Sequence, residues 1–220
     1  MTSQTSARTG TLPRLPRWLT QQFLLKPANW VPATFWLFLV FLQGYYAYAD
    51  PSPSTFGLVL INSVALVLFI TRRDAARNGN FLEGLIAVAG TFVVSLLLIA
   101  SSKDGAALHD APVLPTIIQF AGIAGWAVSL MALGRSLAIA PADRGLVRHG
   151  PYRFIRHPIY AFEGLFFLGW LVAEPTNSNA LIVAIWCLLQ VARIVREERI
   201  LSGYDEYRQG VRWRIIPFVW

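Results

Sequence analysis

The sequence is poor in charged residues and has almost no cysteine. Only 14% of its 220 residues are Asp, Glu, Lys or Arg, whereas a soluble domain carries about 25%. This deficit, together with 55% hydrophobic residues, excludes an ordinary soluble domain and indicates an integral membrane protein. The single cysteine, Cys187, lies in an apolar run, which excludes a disulfide framework and a thiolate metal site.

Histidine is also scarce, and its placement argues against a metal site. His109, His149 and His157 lie far apart or in loops and lack the spacing of zinc ligands. The formal net charge is +7, but the basic residues flank apolar runs instead of forming one basic face, so a nucleic acid is not an expected partner. Anionic membrane lipids are the partner that this charge pattern favours.

Long apolar runs, in contrast, are abundant. A membrane-spanning helix needs about 20 apolar residues, and six runs reach or approach that length: 31–49, 55–70, 81–100, 113–133, 159–173 and 180–195. Proline and glycine mark the joints between them. The pattern predicts an all-α polytopic membrane protein with about six transmembrane helices, a cytoplasmic loop after the fourth and a helix near the C-terminus.

The positive charges are distributed on one side of these runs. Of the 19 Lys and Arg residues, all except Lys103 lie in the N-terminal stretch, in the loops after the second and fourth runs, or from the end of the sixth run onward. Asp50, Asp104, Asp110 and Glu174 lie in the opposite loops. The positive-inside rule therefore predicts that both termini are cytoplasmic. The membrane would be the plasma membrane in a prokaryote or the endoplasmic reticulum in a eukaryote.

The N-terminal stretch has two interpretations, a transit peptide or a cytoplasmic tail. Residues 1–30 lack acids and are rich in Ser, Thr and Arg, as a transit peptide is. We prefer a cytoplasmic tail that ends in an interfacial segment around residues 18–25. The chain is then expected to have three parts: this tail, a region of four transmembrane helices over 31–134, and a C-terminal part over 135–220.

Two polar clusters lie on the predicted cytoplasmic side. The first reads G-P-Y-R-F-I-R-H-P-I-Y over 150–160. Because a residue before proline is biased away from the helix, His157 should be extended and Pro158 should begin the next helix. Arg156, His157 and Tyr160 would then present hydrogen-bond donors and an aromatic face to a small polar ligand. The alternative is an anchor for lipid headgroups.

The second cluster lies at the end of the sixth run. Arg193 and Glu197 are four residues apart and share a helix face, so they form either an ordinary salt bridge or part of a site. The adjacent Glu198 favours a site, since two neighbouring carboxylates suit a bound cation, an amine or ribose hydroxyls. Glu163 lies one turn inside the fifth run, and carboxylates within a membrane are usually functional.

Residues 133–220 contain an ordered series of motifs: L-G-R-S at 133–136, R-G-L-V at 144–147, the block at 150–160, R-I-V-R-E-E-R-I-L at 193–201, Y-D-E-Y at 204–207 and I-P-F at 216–218. In these motifs the segment resembles the isoprenylcysteine carboxyl methyltransferases and their phospholipid methyltransferase relatives. This resemblance implies a methyltransferase that uses S-adenosylmethionine without a Rossmann domain, with residues 135–220 as its methyltransferase core. In one departure, Phe162 stands where relatives often have glycine, and its ring is expected to narrow the cofactor or substrate channel.

The resemblance also implies roles for individual residues. The residues implied to surround the cofactor are Arg144, Gly145, Leu146, Val147, Tyr152, His157, Pro158, Ile159, Tyr160 and Glu197, with Glu198 beside them. Arg193 would face the carboxylate of the substrate, and Arg135 would add a second basic group. For an amine substrate, Glu163 or Glu198 would accept the proton.

Four functions remain open at this level. The first is methylation of a carboxylate on a lipidic substrate such as a prenylated cysteine, and the second is methylation of a phospholipid amine. The third is reduction by a sterol-type membrane reductase, in which the loop arginines would bind the phosphates of NADPH. The fourth is a membrane scaffold that retains the pocket without activity. The R-G-L-V and R-x-x-x-E-E motifs favour a methyltransferase.

Overall fold

The computed structural model describes residues 30–49, 51, 53–93 and 113–220. The predicted N-terminal tail lies outside the described residues except for Trp30, and so do the end of the third apolar run and the loop that follows it.

The described chain is mostly helical. Its helices are α1 (Trp30–Ala49), α2 (Pro53–Thr71), α3 (Phe81–Val88), α4 (Val113–Leu133), α5 (Pro158–Ala173), α6 (Asn177–Ile200) and α7 (Tyr204–Gly210). A π-helical turn, Ala89–Val93, continues α3, and 3-10 turns occupy Gly134–Ser136 and Gly150–Arg153. The two short strands, β1 (Arg77–Asn78) and β2 (Ala142–Asp143), form one antiparallel pair.

Two of these helices are long and apolar enough to cross a membrane. They are Val113–Ser136, which is α4 with the turn after it, and Asn177–Ile200, which is α6. Helix α1 also carries large exposed apolar side chains, with Phe41 70% and Tyr48 88% exposed. A protein in water rarely exposes such a surface, whereas lipid chains would cover it. The count of six spans stays a prediction.

Helices α4 and α5 pack in close contact through glycine. A Cβ atom on Gly122 would lie 2.6 Å from the Phe166 nitrogen and 2.9 Å from the Phe162 carbonyl oxygen. A Cβ atom on Gly125 would overlap the ring of Phe162. Small residues at such positions let two membrane helices approach closely. The Phe162 ring therefore fills the space above Gly125.

This close contact predicts a strong stability effect at Gly122. We expect Gly122→Ala to destabilise the fold by about 1–3 kcal/mol, because the added methyl group meets backbone that cannot move aside. The melting temperature in detergent should fall by roughly 2–12 °C. Gly44→Ala is the matched control, since no atom lies within 4 Å of its Cβ position. Equal melting temperatures for the two variants would contradict the packing described above.

Backbone hydrogen bonds join three loops into a cap at one end of the helices. The β1–β2 pair connects the loop between α2 and α3 to the loop after α4. The C-terminal segment joins the same cap, because the N–H groups of Arg156 and His157 donate to the carbonyl oxygens of Trp213 and Arg214, both at 2.8 Å. By the predicted topology this cap is cytoplasmic, and it fixes the loop that leads into α5.

Candidate functional site

A cavity of about 300 Å³ runs from the cap into the space between the helices. Its capped end is lined by polar and aromatic side chains, including Tyr152, His157, Tyr160 and Glu197. Its other end is lined mainly by apolar side chains of α1, α2, α4 and α5: Leu39, Ala65, Leu130, Phe166, Phe167 and Trp170. One continuous cavity can therefore hold a polar molecule at one end and an apolar chain at the other.

The start of α5 matches the prediction in part. Pro158 is the first helical residue, as predicted, but His157 has φ −128° and ψ 62°, so it is non-helical without being fully extended as expected. Since proline lacks an N–H and has a fixed φ, it suits the first helical position. Both residues are buried, and His157 lines the cavity whereas Pro158 does not. Tyr160 follows one turn later and lies near the His157 ring, with 5.8 Å between ring centroids.

Glu197 faces the cavity with one oxygen already bonded. Its Oε1 accepts a hydrogen bond from the Tyr160 hydroxyl and lies 4.0 Å from Nη2 of Arg193. Its Oε2 lies 3.9 Å from Nδ1 of His157, which is beyond hydrogen-bond distance. The side chain is 20% exposed. Oε2 is thus oriented and able to accept hydrogen bonds from a ligand.

Glu198 has a different environment from its neighbour. It accepts two hydrogen bonds from Arg214, both at 2.9 Å, and one from the Tyr204 hydroxyl at 2.5 Å. His157 Nε2 lies 3.2 Å from the same carboxylate. Burial, followed by the hydrogen bond to Glu198, raises the pKa of Tyr204 well above its usual value, so this hydroxyl stays a neutral donor. Glu198 therefore connects α6, α7 and the C-terminal segment, and it does not line the cavity.

Arg193 is buried beneath the polar end of the cavity. Its Nη1 donates to Thr91 Oγ1 at 2.9 Å and to Gln190 Oε1 at 3.1 Å, and its Nη2 donates to the Ile139 carbonyl at 3.1 Å. Among the residues that the structure describes, its buried Nε has no partner. The Nε–Nη2 edge is the side of a guanidinium that binds a carboxylate with two parallel hydrogen bonds.

The tyrosines of the cap hold the polar end together. The Tyr207 hydroxyl donates to the Tyr152 carbonyl at 2.6 Å, and burial raises the pKa of Tyr207 to about 12. Burial also raises the pKa of Tyr152 well above its usual value. Both side chains remain neutral over the physiological pH range and line the cavity.

The R-G-L-V segment lines the cavity from the cap. Gly145 has a φ of +94°, a conformation that favours glycine. Its N–H donates to Asp143 Oδ1 at 3.3 Å, and the N–H of Ser202 donates to Asp143 Oδ2 at 3.1 Å. Asp143 therefore connects this segment to the end of α6.

Asp143 gives the cap a predictable response to acid. Hydrogen bonds from Ser202 and Gly145 lower its pKa below the unfolded value of about 3.9. Because the pKa of Asp143 is lower in the folded state, its ionised carboxylate stabilises the cap at pH values above the unfolded-state pKa. This stabilisation is lost as the pH falls through the folded-state pKa. We expect amide-exchange protection of residues 140–147, corrected for intrinsic rates, to fall from pH 5 to pH 3. Asp143→Asn should show weak protection at both pH values, and a pH profile like that of the wild type would contradict this role. The exposed Asp205→Asn is the control.

Most of the residues expected in the site do meet around this cavity. Those that line it are Arg144, Gly145, Leu146, Val147, Tyr152, His157, Ile159, Tyr160, Glu163, Arg193 and Glu197. Arg135 does not, because it is exposed and its Nε donates to the Thr71 carbonyl at 2.7 Å. Phe162 does not line the cavity either, so its ring does not narrow the channel as expected.

Sequence reasoning missed several residues that line the polar end, among them Arg156, Tyr204 and the Tyr207 described above. Arg156 lies in the R-H-P turn and was expected beside the ligand, but it was not assigned to the site; its Nη1 lies 3.5 Å from Glu198. Tyr204 is the first residue of the Y-D-E-Y motif and also lines the cavity. Its place in that motif was the only feature of the sequence that could have assigned it to the site.

Residues 116–205 match the family model for phospholipid methyltransferases. The match confirms, over these residues, the resemblance seen in the motifs, and it includes the loop from α4 to α5 and all of α6. It supports a membrane methyltransferase with a lipid substrate. No curated protein gives a significant match.

Proposed function

We propose that this protein is an integral-membrane methyltransferase that transfers the methyl group of S-adenosylmethionine to a lipidic carboxylate. The observation that carries the proposal is the continuous cavity with a polar capped end and an apolar end. A water-soluble methyl donor would bind at the cap. A lipidic acceptor would reach it from the membrane.

The residues at the polar end fit this cofactor. Among the described residues, Glu197 Oε2 has no hydrogen-bond partner and can accept hydrogen bonds from ribose hydroxyls, and its charge favours a sulfonium cation. The rings of Tyr152 and Tyr160 line the same end of the cavity, and Gly145 lets the backbone approach closely. When bound, S-adenosylmethionine supplies an activated methyl group. The protein then needs only to align the acceptor and exclude water.

Arg193 is the residue that we assign to the acceptor carboxylate. Its unpaired Nε and the adjacent Nη2 would orient the acceptor through paired hydrogen bonds. Held in this way, the carboxylate would present one oxygen to the methyl group that S-adenosylmethionine would supply. Because the acceptor is already ionised, no general base is required.

The second candidate is N-methylation of a phospholipid amine. The description of the matching family favours it, and so does Glu163. This carboxyl is 7% exposed and lines the cavity one turn beyond Tyr160. An ammonium group must lose a proton before it attacks, and Glu163 would accept it. Glu163→Gln should therefore abolish amine methylation and leave carboxyl methylation largely intact.

The two remaining hypotheses make different predictions for ligand binding. A sterol-type reductase would bind NADPH saturably and would not bind S-adenosylmethionine. A scaffold would tolerate the loss of Glu197 without any change in phenotype. Calorimetry of the purified protein with each nucleotide separates the reductase from the methyltransferase. Binding of NADPH alone would overturn the proposal.

A further inference from the structure

The apolar end of the cavity contains a cluster of hydrogen-bonding side chains, formed by Trp36, Gln43 and Asn62. Trp36 Nε1 donates to Asn62 Oδ1 at 2.9 Å. Asn62 Nδ2 donates to Gln43 Oε1 at 2.9 Å and to the Leu58 carbonyl at 3.0 Å. We call these three side chains the amide cluster, and all three line the cavity.

The chemistry of the three groups fixes the direction of every hydrogen bond. An indole N–H can only donate, so Asn62 must present its oxygen to Trp36 and its nitrogen to Gln43. Gln43 must then present its oxygen to Asn62. Both N–H groups of Asn62 are occupied, by Gln43 and Leu58. The Nε2 of Gln43 is left over, with no hydrogen-bond partner among the residues that the structure describes.

These unused donors lie inside the predicted membrane, nearer the side opposite the cap. Gln43 is 13 residues beyond Trp30, the first described residue of α1, which is about 20 Å along a helix. The hydrocarbon core of a membrane is about 30 Å thick. Amide donors without an acceptor at this depth are costly, and the wall around them is otherwise mainly apolar. A ligand oxygen would remove that cost.

We propose that the methyl acceptor is a long-chain amphiphile with a hydroxyl, ether or carbonyl oxygen in the distal part of its chain, and that Gln43 Nε2 donates to this oxygen. The inference rests on the proposed function, since the reacting headgroup must lie at the polar end of the same cavity. Tyr46, one turn beyond Gln43, also lines the cavity and brings a second donor, a hydroxyl, to the same region. A site built to pair with an oxygen discriminates against the plain hydrocarbon.

Matched fatty acids test this specificity without knowledge of the natural acceptor. We would measure equilibrium binding of palmitate, 2-hydroxypalmitate and 16-hydroxypalmitate to the full chain in nanodiscs, corrected for partition into empty nanodiscs. The wild type should bind 16-hydroxypalmitate about 5- to 10-fold more tightly than palmitate, the gain expected for one hydrogen bond. The 2-hydroxy isomer should gain nothing, because its hydroxyl lies beside the carboxylate.

Variants assign the effect to the amide cluster. Gln43→Met keeps the side-chain length but removes both donors, so it should bind palmitate and 16-hydroxypalmitate equally. Phe41→Leu, at a 70% exposed position on the same helix, should keep the preference. The inference is overturned if Gln43→Met still prefers 16-hydroxypalmitate to palmitate. It is also overturned if the wild-type protein shows no such preference or binds none of the three acids. The isomer series in the wild type decides the matter even if Gln43→Met does not fold.

Binding of S-adenosylmethionine, measured in the same samples, separates the two levels of the proposal. Intact cofactor binding without the 16-hydroxyl preference overturns only the inference about the acceptor chain. Absence of cofactor binding overturns the proposed function itself.

Discussion

Glu197→Gln should weaken binding of S-adenosylmethionine by about 10- to 100-fold, the range expected when a hydrogen bond to a charged group is lost. The variant keeps the shape of the side chain and an oxygen for the Tyr160 hydroxyl. It removes the negative charge that favours a sulfonium and halves the capacity to accept hydrogen bonds from hydroxyls. Calorimetry of the protein in detergent measures the effect directly.

Glu206→Gln provides the control for this measurement. Glu206 is 76% exposed and pairs with Arg148 at 2.8 Å, and it does not line the cavity. Its loss should leave cofactor affinity unchanged. If Glu197→Gln and Glu206→Gln bind S-adenosylmethionine as tightly as the wild type, Glu197 has no part in cofactor binding.

Arg193→Lys should reduce kcat/KM for a carboxylate acceptor by about 100-fold, within the range expected when a hydrogen bond to a charged group is lost. Lysine keeps the charge but lacks the planar edge that binds both carboxylate oxygens. Methyl transfer to N-acetyl-S-farnesylcysteine at saturating S-adenosylmethionine measures the loss. The effect should fall on both KM and kcat, because the guanidinium orients the acceptor as well as binding it.

Arg193 also supports the fold through Thr91, Gln190 and Ile139, so the variant needs a test of folding. Retained binding of S-adenosylmethionine shows that the cap is intact. Arg196→Lys, three residues further on, is the matched control, because Arg196 pairs with Glu83 at 3.1 Å and does not line the cavity. Unchanged kcat/KM in a folded Arg193→Lys protein would exclude the carboxylate role and favour an amine acceptor.

Local sequence patterns predicted the parts of the site that depend on covalent geometry and helical spacing. Proline after His157 fixed the start of α5, and the four-residue spacing placed Arg193 and Glu197 on one face of α6. The ordered motifs predicted several of the other residues that line the cavity, because such motifs identify residues that meet around one ligand even when the intervening fold is unknown. The helical class followed from the lengths of the apolar runs.

The sequence could not show which of two adjacent acids faces the cavity. Glu197 and Glu198 differ only in the side of the helix that they occupy, and Arg214, 16 residues further along, determines the partner of Glu198. Likewise, Phe162 was expected to narrow the channel. Its ring instead packs against Gly125, which lies on another helix, so the local sequence could not show this contact. The amide cluster joins α1 and α2 across 26 residues, from Trp36 to Asn62, and no local pattern reports such a contact.

The most direct test of the account is transfer of radiolabelled methyl from S-adenosylmethionine by the purified protein in nanodiscs. N-acetyl-S-farnesylcysteine and phosphatidylethanolamine would be offered together at a limiting concentration of S-adenosylmethionine, with Glu197→Gln as the control for cofactor binding. We predict base-labile label on the prenylcysteine that is strongly reduced in the variant, and such a label identifies a carboxyl methyl ester. Base-stable label on the phospholipid would move the acceptor to an amine. No binding of S-adenosylmethionine and no transfer to either lipid would contradict the assignment of a membrane methyltransferase.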